Sequence, residues 1–264
     1  MKIYVSVDME GIGGIVLPDQ LRKGEFFYQE GRQLLTNEVN AIVDALLEAG
    51  ATDIVVKDAH ATGFNFVPEL LRPGATYLMG GTPIPNRFAG LDSTFDGAFL
   101  IGYHGMAGAR RAVRDHTFSS ASFQYVKLNG REVGEIALDS HLIGVHGVPV
   151  LLVTGDDAAC REAKEELEGV AVYETKQAAG RHAALLKAPQ QVRQEMREAV
   201  RAALAGRGGC KPRVIPGPYE LEIRYTSTDM ADGKYCDGVR SERLDGQSVL
   251  HRDDDLVRLL ARAL

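Results

Sequence analysis

The sequence predicts an α/β protein with a mostly parallel or mixed central sheet, and three observations carry that reading. Ile3, Val5 and Val7 alternate with Tyr4, Ser6 and Asp8, the period of two that marks a strand. Leu35, Val39, Ile42, Val43 and Leu46 then keep helical spacing up to a capping Gly50, and Ile54-Val55-Val56 returns as a short buried strand. The start of the chain is therefore a β-α-β unit, which implies parallel strands and a right-handed crossover. Farther on, Ala98 to Ile101 and Val148 to Thr154 are near-continuous apolar runs, the character of strands buried on both faces.

Taken in order, the first strand ends in Asp8-Met9-Glu10 and a turn containing Gly11, Gly13 and Gly14, whose permissive backbone lets the chain reverse behind two carboxylates. Leu17 to Gly31 has no clean period and reads as a loop leading into a helix from about Leu34. The second strand ends in Lys57-Asp58-Ala59-His60, and a breaker-rich stretch with Pro73, Gly80, Gly81, Pro83 and Pro85 separates it from the strand that ends in Gly102-Tyr103-His104. Phe123 to Leu128 alternates, Asn129-Gly130 signals a hairpin, and Glu132-Val133 begins the return. A helix over about Gly134 to His146 places Ile136, Ala137 and Ile143 on one side and Glu135, Asp139 and His146 on another.

After the Val148 strand, Asp156 or Asp157 caps a helix that ends near Gly169, and Val170 to Tyr173 reads as a further strand. Pro189 to Leu204 is a surface helix with proline in its first turn. The Gly- and Pro-rich stretch Gly206 to Gly217 is the candidate seam between a main α/β domain of residues 1–210 and a 211–264 extension, which either stands apart or forms part of the same domain. The extension holds an alternating strand, Tyr219 to Tyr225, and a last helix opened by Asp253-Asp254-Asp255.

Composition narrows the function. Thirty basic and thirty-six acidic residues give a net charge of −6 without any basic block, so nucleic acid is not an expected partner. No apolar stretch approaches the roughly 20 residues of a membrane span. Met1-Lys2-Ile3 runs straight into the first strand with no leader pattern, so a cytoplasmic location is expected. Cys160, Cys210 and Cys236 are odd in number and far apart, which argues against a disulfide framework or a thiolate metal site.

Three strands end in residues that bind metals: Asp8 with Glu10, Asp58 with His60, and His104. In a parallel sheet the carboxyl ends of the strands share one edge, where ligands bind, so these distant residues converge. Imidazole and carboxylate without thiolate suit zinc, manganese, cobalt or iron, and the surplus of carboxylate suits a pair of divalent ions, with zinc preferred. His116, in a polar loop, is either a substrate-reaching group or a solvated histidine, and Glu135 is either a ligand or a carboxylate complementing a helix dipole. His141, His146, His182 and His251 show no partner pattern.

The blocks Ser6-Val7-Asp8-Met9-Glu10-Gly11-Ile12, Asp58-Ala59-His60, Gly102-Tyr103-His104, Asp115-His116, Val133-Gly134-Glu135 and Gly155-Asp156-Asp157 together resemble the zinc-dependent D-aminopeptidases of peptidase family M55. The likeness runs in order over at least the first 160 residues and becomes loose from Lys211, apart from Gly238-Val239-Arg240. The resemblance implies a three-layer α/β/α subunit, two zinc ions held by Asp8, Glu10, His60, His104 and Glu135 with Asp8 as the bridge, and a catalytic role for His116. It also implies a ring-shaped homodecamer that releases N-terminal D-amino acids, such as D-alanine, from short peptides. Two departures stand out: Gly13 occupies a position where relatives often have Ser, and Gly105 to Arg114 is one residue longer.

The expected function is thus a metallo-aminopeptidase in which metal-activated water attacks the peptide carbonyl, assisted by His116 as acid or base. Two other classes share its features: a different binuclear metallohydrolase, such as an amidase or phosphoesterase, and a non-catalytic peptide-binding protein. Cleavage of D-alanyl peptides without turnover of phosphate esters separates the first pair, and chelator-insensitive binding without cleavage marks the last.

Overall fold

A computed structural model describes residues 1–264. The strands are β1 (Lys2–Val7), β2 (Asp53–Asp58), β3 (Thr76–Leu78), β4 (Gly97–Tyr103), β5 (Phe123–Leu128), β6 (Arg131–Glu132), β7 (Val150–Asp156), β8 (Ala171–Gly180), β9 (Ala183–Leu186), β10 (Tyr219–Tyr225), β11 (Ser241–Arg243) and β12 (Ser248–Asp253). The helices are α1 (Tyr28–Glu48), α2 (Glu135–Gly144), α3 (Asp157–Glu166), α4 (Pro189–Gly206), α5 (Thr228–Asp232) and α6 (Leu256–Ala263).

A seven-stranded sheet runs in the order β3-β2-β1-β4-β7-β8-β9, parallel except for the β8–β9 hairpin at its edge. Its alternating side chains feed two cores. Ile3, Val5 and Val7 face α1 and α4, meeting Val39, Ile42, Leu46, Val192 and Met196. Tyr4, Leu100 and Val153 face the other way, toward α2 and α3. Helices thus cover both faces of a mixed sheet, which is the three-layer α/β/α arrangement.

Beyond α2 lies a second, antiparallel sheet in the order β11-β12-β10-β5-β6, which joins strands from both sides of residue 210. All ten residues of α2 are buried, because Ile136, Leu138 and Ile143 share one core with Leu100 of the first sheet and with Val126, Leu221, Ile223 and Val249 of the second. The one-sided face expected for this helix is therefore replaced by a helix enclosed on all sides.

Other boundaries move for local reasons. Helix α1 begins at Tyr28 instead of Leu34, since Tyr28 and Gly31 seat its first turn on the preceding loop, where a Cβ at Gly31 would lie 2.2 Å from the Gln20 carbonyl oxygen. Asp156 caps α3 by accepting from the Ala159 N–H at 2.9 Å. At the C-terminus only Asp255 caps α6, accepting from Arg258 N–H at 3.0 Å, whereas Asp253 is the last residue of β12.

Candidate metal centre

The registers Val7↔Asp58 and Val7↔Ile101 put the carboxyl ends of β1, β2 and β4 side by side. Asp8 and Glu10 follow β1, His60 follows β2 and His104 follows β4, so three loops open onto one edge. Glu135, the first residue of α2, approaches the same place from the layer beneath. Each of these five residues is buried.

The β1 loop is held by backbone contact. Gly11 N–H donates to the Gly102 carbonyl at 2.7 Å, and a Cβ at residue 11 would stand 2.0 Å from Tyr103 O, so no other residue fits there. Of the three turn glycines only Gly14 needs a left-handed conformation, with φ of 88°. Gly13 is small for a different reason: its N–H donates to Glu38 at 2.7 Å and a Cβ would meet Glu38 Oε1 at 2.8 Å. Beneath the loop, Lys176 Nζ donates to the carbonyls of Glu10 (2.5 Å), Ile12 (2.7 Å) and Ile15 (2.6 Å), and Thr175 Oγ1 donates to that of Gly11. A buried lysine thus holds the peptide that carries Glu10. Burial lowers its pKa to about 8.

The three histidines are bonded alike. One ring nitrogen of each meets a backbone carbonyl: His60 Nε2 to Leu21 O at 3.1 Å, His104 Nδ1 to Gly105 O at 3.1 Å, and His116 Nδ1 to Arg114 O at 2.8 Å. A carbonyl only accepts, so that nitrogen carries the proton, and in a neutral ring the other presents its lone pair to the carboxylates. His60 Nδ1 lies 3.1 Å from Asp8 Oδ1 and 3.0 Å from Glu10 Oε2; His104 Nε2 lies 3.2 Å from Asp8 Oδ2 and 3.5 Å from Glu135 Oε1. His116 stacks on His104 with ring centroids 3.9 Å apart, its Nε2 3.9 Å from Glu135 Oε1.

A cation fits this donor set. Glu10 Oε2 and His104 Nε2 are buried without a hydrogen-bond partner, although other donor atoms stand within 3.5 Å. Lone pairs of carboxylates and imidazoles facing one another at such distances repel unless positive charge lies among them. Asp8, Glu10 and His104, and separately His104, His116 and Glu135, bring donor atoms within 4.8 Å of one another. Without a metal, protons are the alternative positive charge. Burial pushes the His60 and His104 imidazoles down, but the facing carboxylates raise both well above the usual range. Burial likewise favours a protonated Asp8, and the two histidines outweigh it.

Comparison with known proteins agrees with this geometry. The family model for peptidase M55, described as D-aminopeptidase, matches residues 1–263. The chain belongs to the M55 D-aminopeptidase family. It is 33% identical over 234 residues to a D-aminopeptidase of Bacillus subtilis (strain 168), covering 88% of this chain and 84% of that one. It superposes with a TM-score of 0.92 and 31% identity on the structure of the Zn-dependent D-aminopeptidase DppA from Bacillus subtilis, described as a self-compartmentalizing protease, over 99% of this chain and 95% of the other. As an M55 member the chain is an aminopeptidase, a hydrolase of peptide bonds.

Not every strand-end residue of this M55 chain faces the centre. Asp58 accepts from the Asn65 side chain at 2.9 Å and from the N–H groups of Asn65, Phe66 and His60, so it shapes the loop that presents His60 and does not take part in the donor set. Glu135 accepts from Phe118 N–H at 2.7 Å and lies 3.6 Å from the Arg87 guanidinium. Arg87 in turn donates to Asp139 at 2.8 Å, and Tyr103 O–H donates to the same carboxylate at 2.7 Å while meeting Ser6 Oγ at 3.0 Å. Neither Arg87 nor Lys176 is visible as functional in the sequence. Each touches the site across a long loop closure, and no period marks it.

The loop around His116 is strained. Arg111, Arg114 and Phe118 all have positive φ, 49°, 56° and 58°, unusual for residues with side chains. Together with the metal edge, this loop walls a cleft of about 440 Å³, a volume suited to a small ligand.

Proposed function

We propose that this aminopeptidase holds two zinc ions and releases N-terminal D-amino acids, D-alanine among them, from short peptides. The observation that carries the reading is the position of Asp8, which turns one oxygen to His60 and the other to His104. A carboxylate with a histidine on each side suits a bridge between two cations. Glu10 and His60 would complete one subsite, and His104 and Glu135 the other. Support for zinc comes from the donor chemistry, imidazole and carboxylate without thiolate, and from the Zn-dependent Bacillus structure. When bound, zinc lowers the pKa of a water to about 7 and polarises the scissile carbonyl.

The chain's own residues supply the rest. Burial holds the His116 imidazole below its usual pKa, so it is neutral near pH 7. With Nδ1 donating to Arg114 O, Nε2 is the atom that takes a proton from the attacking water and returns it to the leaving amine. The grouping of His116 with His104 and Glu135 favours a second reading, in which His116 is itself a metal ligand. Zinc analysis of His116→Ala separates the two: two ions retained with turnover lost supports the acid/base role, and loss of one ion supports ligation.

The homodecamer belongs to the same proposal. The Bacillus enzyme is described as self-compartmentalizing, and this chain exposes Phe26, Tyr235 and Val239, large apolar side chains suited to contacts between subunits. Light scattering of the purified protein tests it. The central experiment is metal content by mass spectrometry, followed by hydrolysis of D-Ala-D-Ala and L-Ala-L-Ala before and after chelation. D-selective, chelator-sensitive cleavage is the expected result, and chelator-insensitive cleavage overturns the zinc assignment.

A further inference from the structure

We propose that Arg114 binds the free α-carboxylate of the substrate, so that the enzyme selects di- and tripeptides ending at the cleft over longer or C-terminally blocked chains. The proposal rests on the aminopeptidase reading above. Arg114 lines the cleft and is 7% exposed, yet its side chain makes no ion pair or hydrogen bond, and Nε is buried without a partner. Two other arginines nearby are matched, Arg87 with Asp139 and Arg181 with the Asp115 carboxylate, and Arg22 on the same cleft is exposed to solvent, so Arg114 is the buried one without a partner. An unpaired buried guanidinium is costly in a folded protein, and a ligand anion is the natural counter-charge.

The backbone also commits Arg114 to this place. Its φ of 56° is a left-handed conformation that a side-chain-bearing residue rarely adopts, held by its N–H to Arg181 O at 3.0 Å and its carbonyl to His116 Nδ1 at 2.8 Å. Arg114 and His116 are thus fixed to each other by one short turn. A guanidinium fork matches a carboxylate in two parallel hydrogen bonds. Arg22 and Lys23 stand exposed on the same cleft and add attraction for an anion, while Asp8, Glu10 and Glu135 bring negative charge to that cleft as well. A zwitterionic short peptide has the matching polarity, and the volume of about 440 Å³ admits few residues.

The test compares D-Ala-D-Ala with its C-terminal amide on the zinc-loaded enzyme, together with calorimetric binding of both to metal-stripped protein. Wild type is expected to favour the free acid by about a hundredfold in kcat/KM, because the amide leaves Arg114 unmatched. Arg114→Gln should raise KM for the free acid and narrow the acid-to-amide ratio to within about threefold, with zinc content and melting temperature retained. If Arg114→Gln does not fold, Arg114→Lys, which keeps the charge and loses the fork, should narrow the ratio in part. Equal wild-type rates on acid and amide overturn the proposal, as does a variant that slows both substrates equally, the mark of a role at the reacting carbonyl. If wild type cleaves neither peptide, the aminopeptidase reading fails separately. Binding then decides for Arg114: an Arg114-dependent preference for the acid upholds it, and equal binding of acid and amide overturns it.

Discussion

Two buried polar clusters meet at Glu135. On one side Arg87, Asp139, Tyr103 and Ser6 form a closed network in which each hydrogen bond answers another and charge balances within the protein. On the other, Asp8, Glu10, His60 and His104 converge with similar burial, but Glu10 Oε2 and His104 Nε2 are left without partners. Both clusters are ionic and both are enclosed, so burial alone does not tell structure from function. What separates them is the unmatched remainder. The closed network stabilises the fold, and the open one is complete only with a ligand.

The sharpest way to break this comparison is to remove a member from each side. Asp8→Asn should lose bound metal and lower kcat/KM by at least about 10³-fold, read by metal analysis and peptide hydrolysis. Its metal-free form should be less stable than wild type near pH 7, because His60 and His104 lose the carboxylate that faces them both. Arg87→Ala does the reverse, leaving Asp139 buried and unpaired, and should destabilise the protein by about 3–5 kcal/mol in urea denaturation. An Arg87→Ala protein as stable as wild type would show that the closed network is not structural.

Lys176→Met sits between the two cases, since Lys176 touches no donor side chain but holds three carbonyls of the loop that bears Glu10. A tenfold to hundredfold loss of metal affinity is expected, by analogy with other residues that orient ligands, with circular dichroism unchanged. Titration of zinc into chelated protein measures it.

Glu38 refines the comparison. Its Oε2 is also unpartnered, but burial raises its pKa to about 8, so a proton fills the role proposed for a cation at Glu10. The ordinary value is 4.5. Between about pH 4.5 and 8 the folded state binds the proton that the unfolded state has lost, so stability falls as pH rises, by at most about 1.4 kcal/mol per pH unit. Glu38→Gln should flatten that slope in denaturation curves taken from pH 5 to 8, and an unchanged slope would assign the proton elsewhere.

The strand-end donors were legible because Asp8, His60 and His104 each follow a run with a clear period, and parallel strands share an edge. Glu135 and His116 were not distinguishable from a dipole-complementing acid and a surface histidine without the likeness to M55 chains. Arg87, Arg114 and Lys176 carried no signal, since their partners are fixed only by the tertiary fold. The second sheet was half visible. Tyr219–Tyr225 alternates cleanly, but β11 is short and β12 ends in charge, and their pairing includes cross-strand contacts such as Arg252 with Glu220 and Glu242. The enclosed state of α2 followed from that missing sheet, because a helix with Glu135 and Asp139 on one side reads as half-exposed until something covers it.

The close approach of Gly11 to Tyr103 and of Gly102 to Asp8, where an added Cβ would fall 2.3 Å from the Asp8 carbonyl oxygen, makes the spacing of Asp8 and His104 a property of main chain on main chain. Heating that merely loosens side chains leaves this spacing alone. Zinc release and the separation of β1 from β4 should therefore occur as one event, at a single temperature in a melt followed with a metal-sensitive dye.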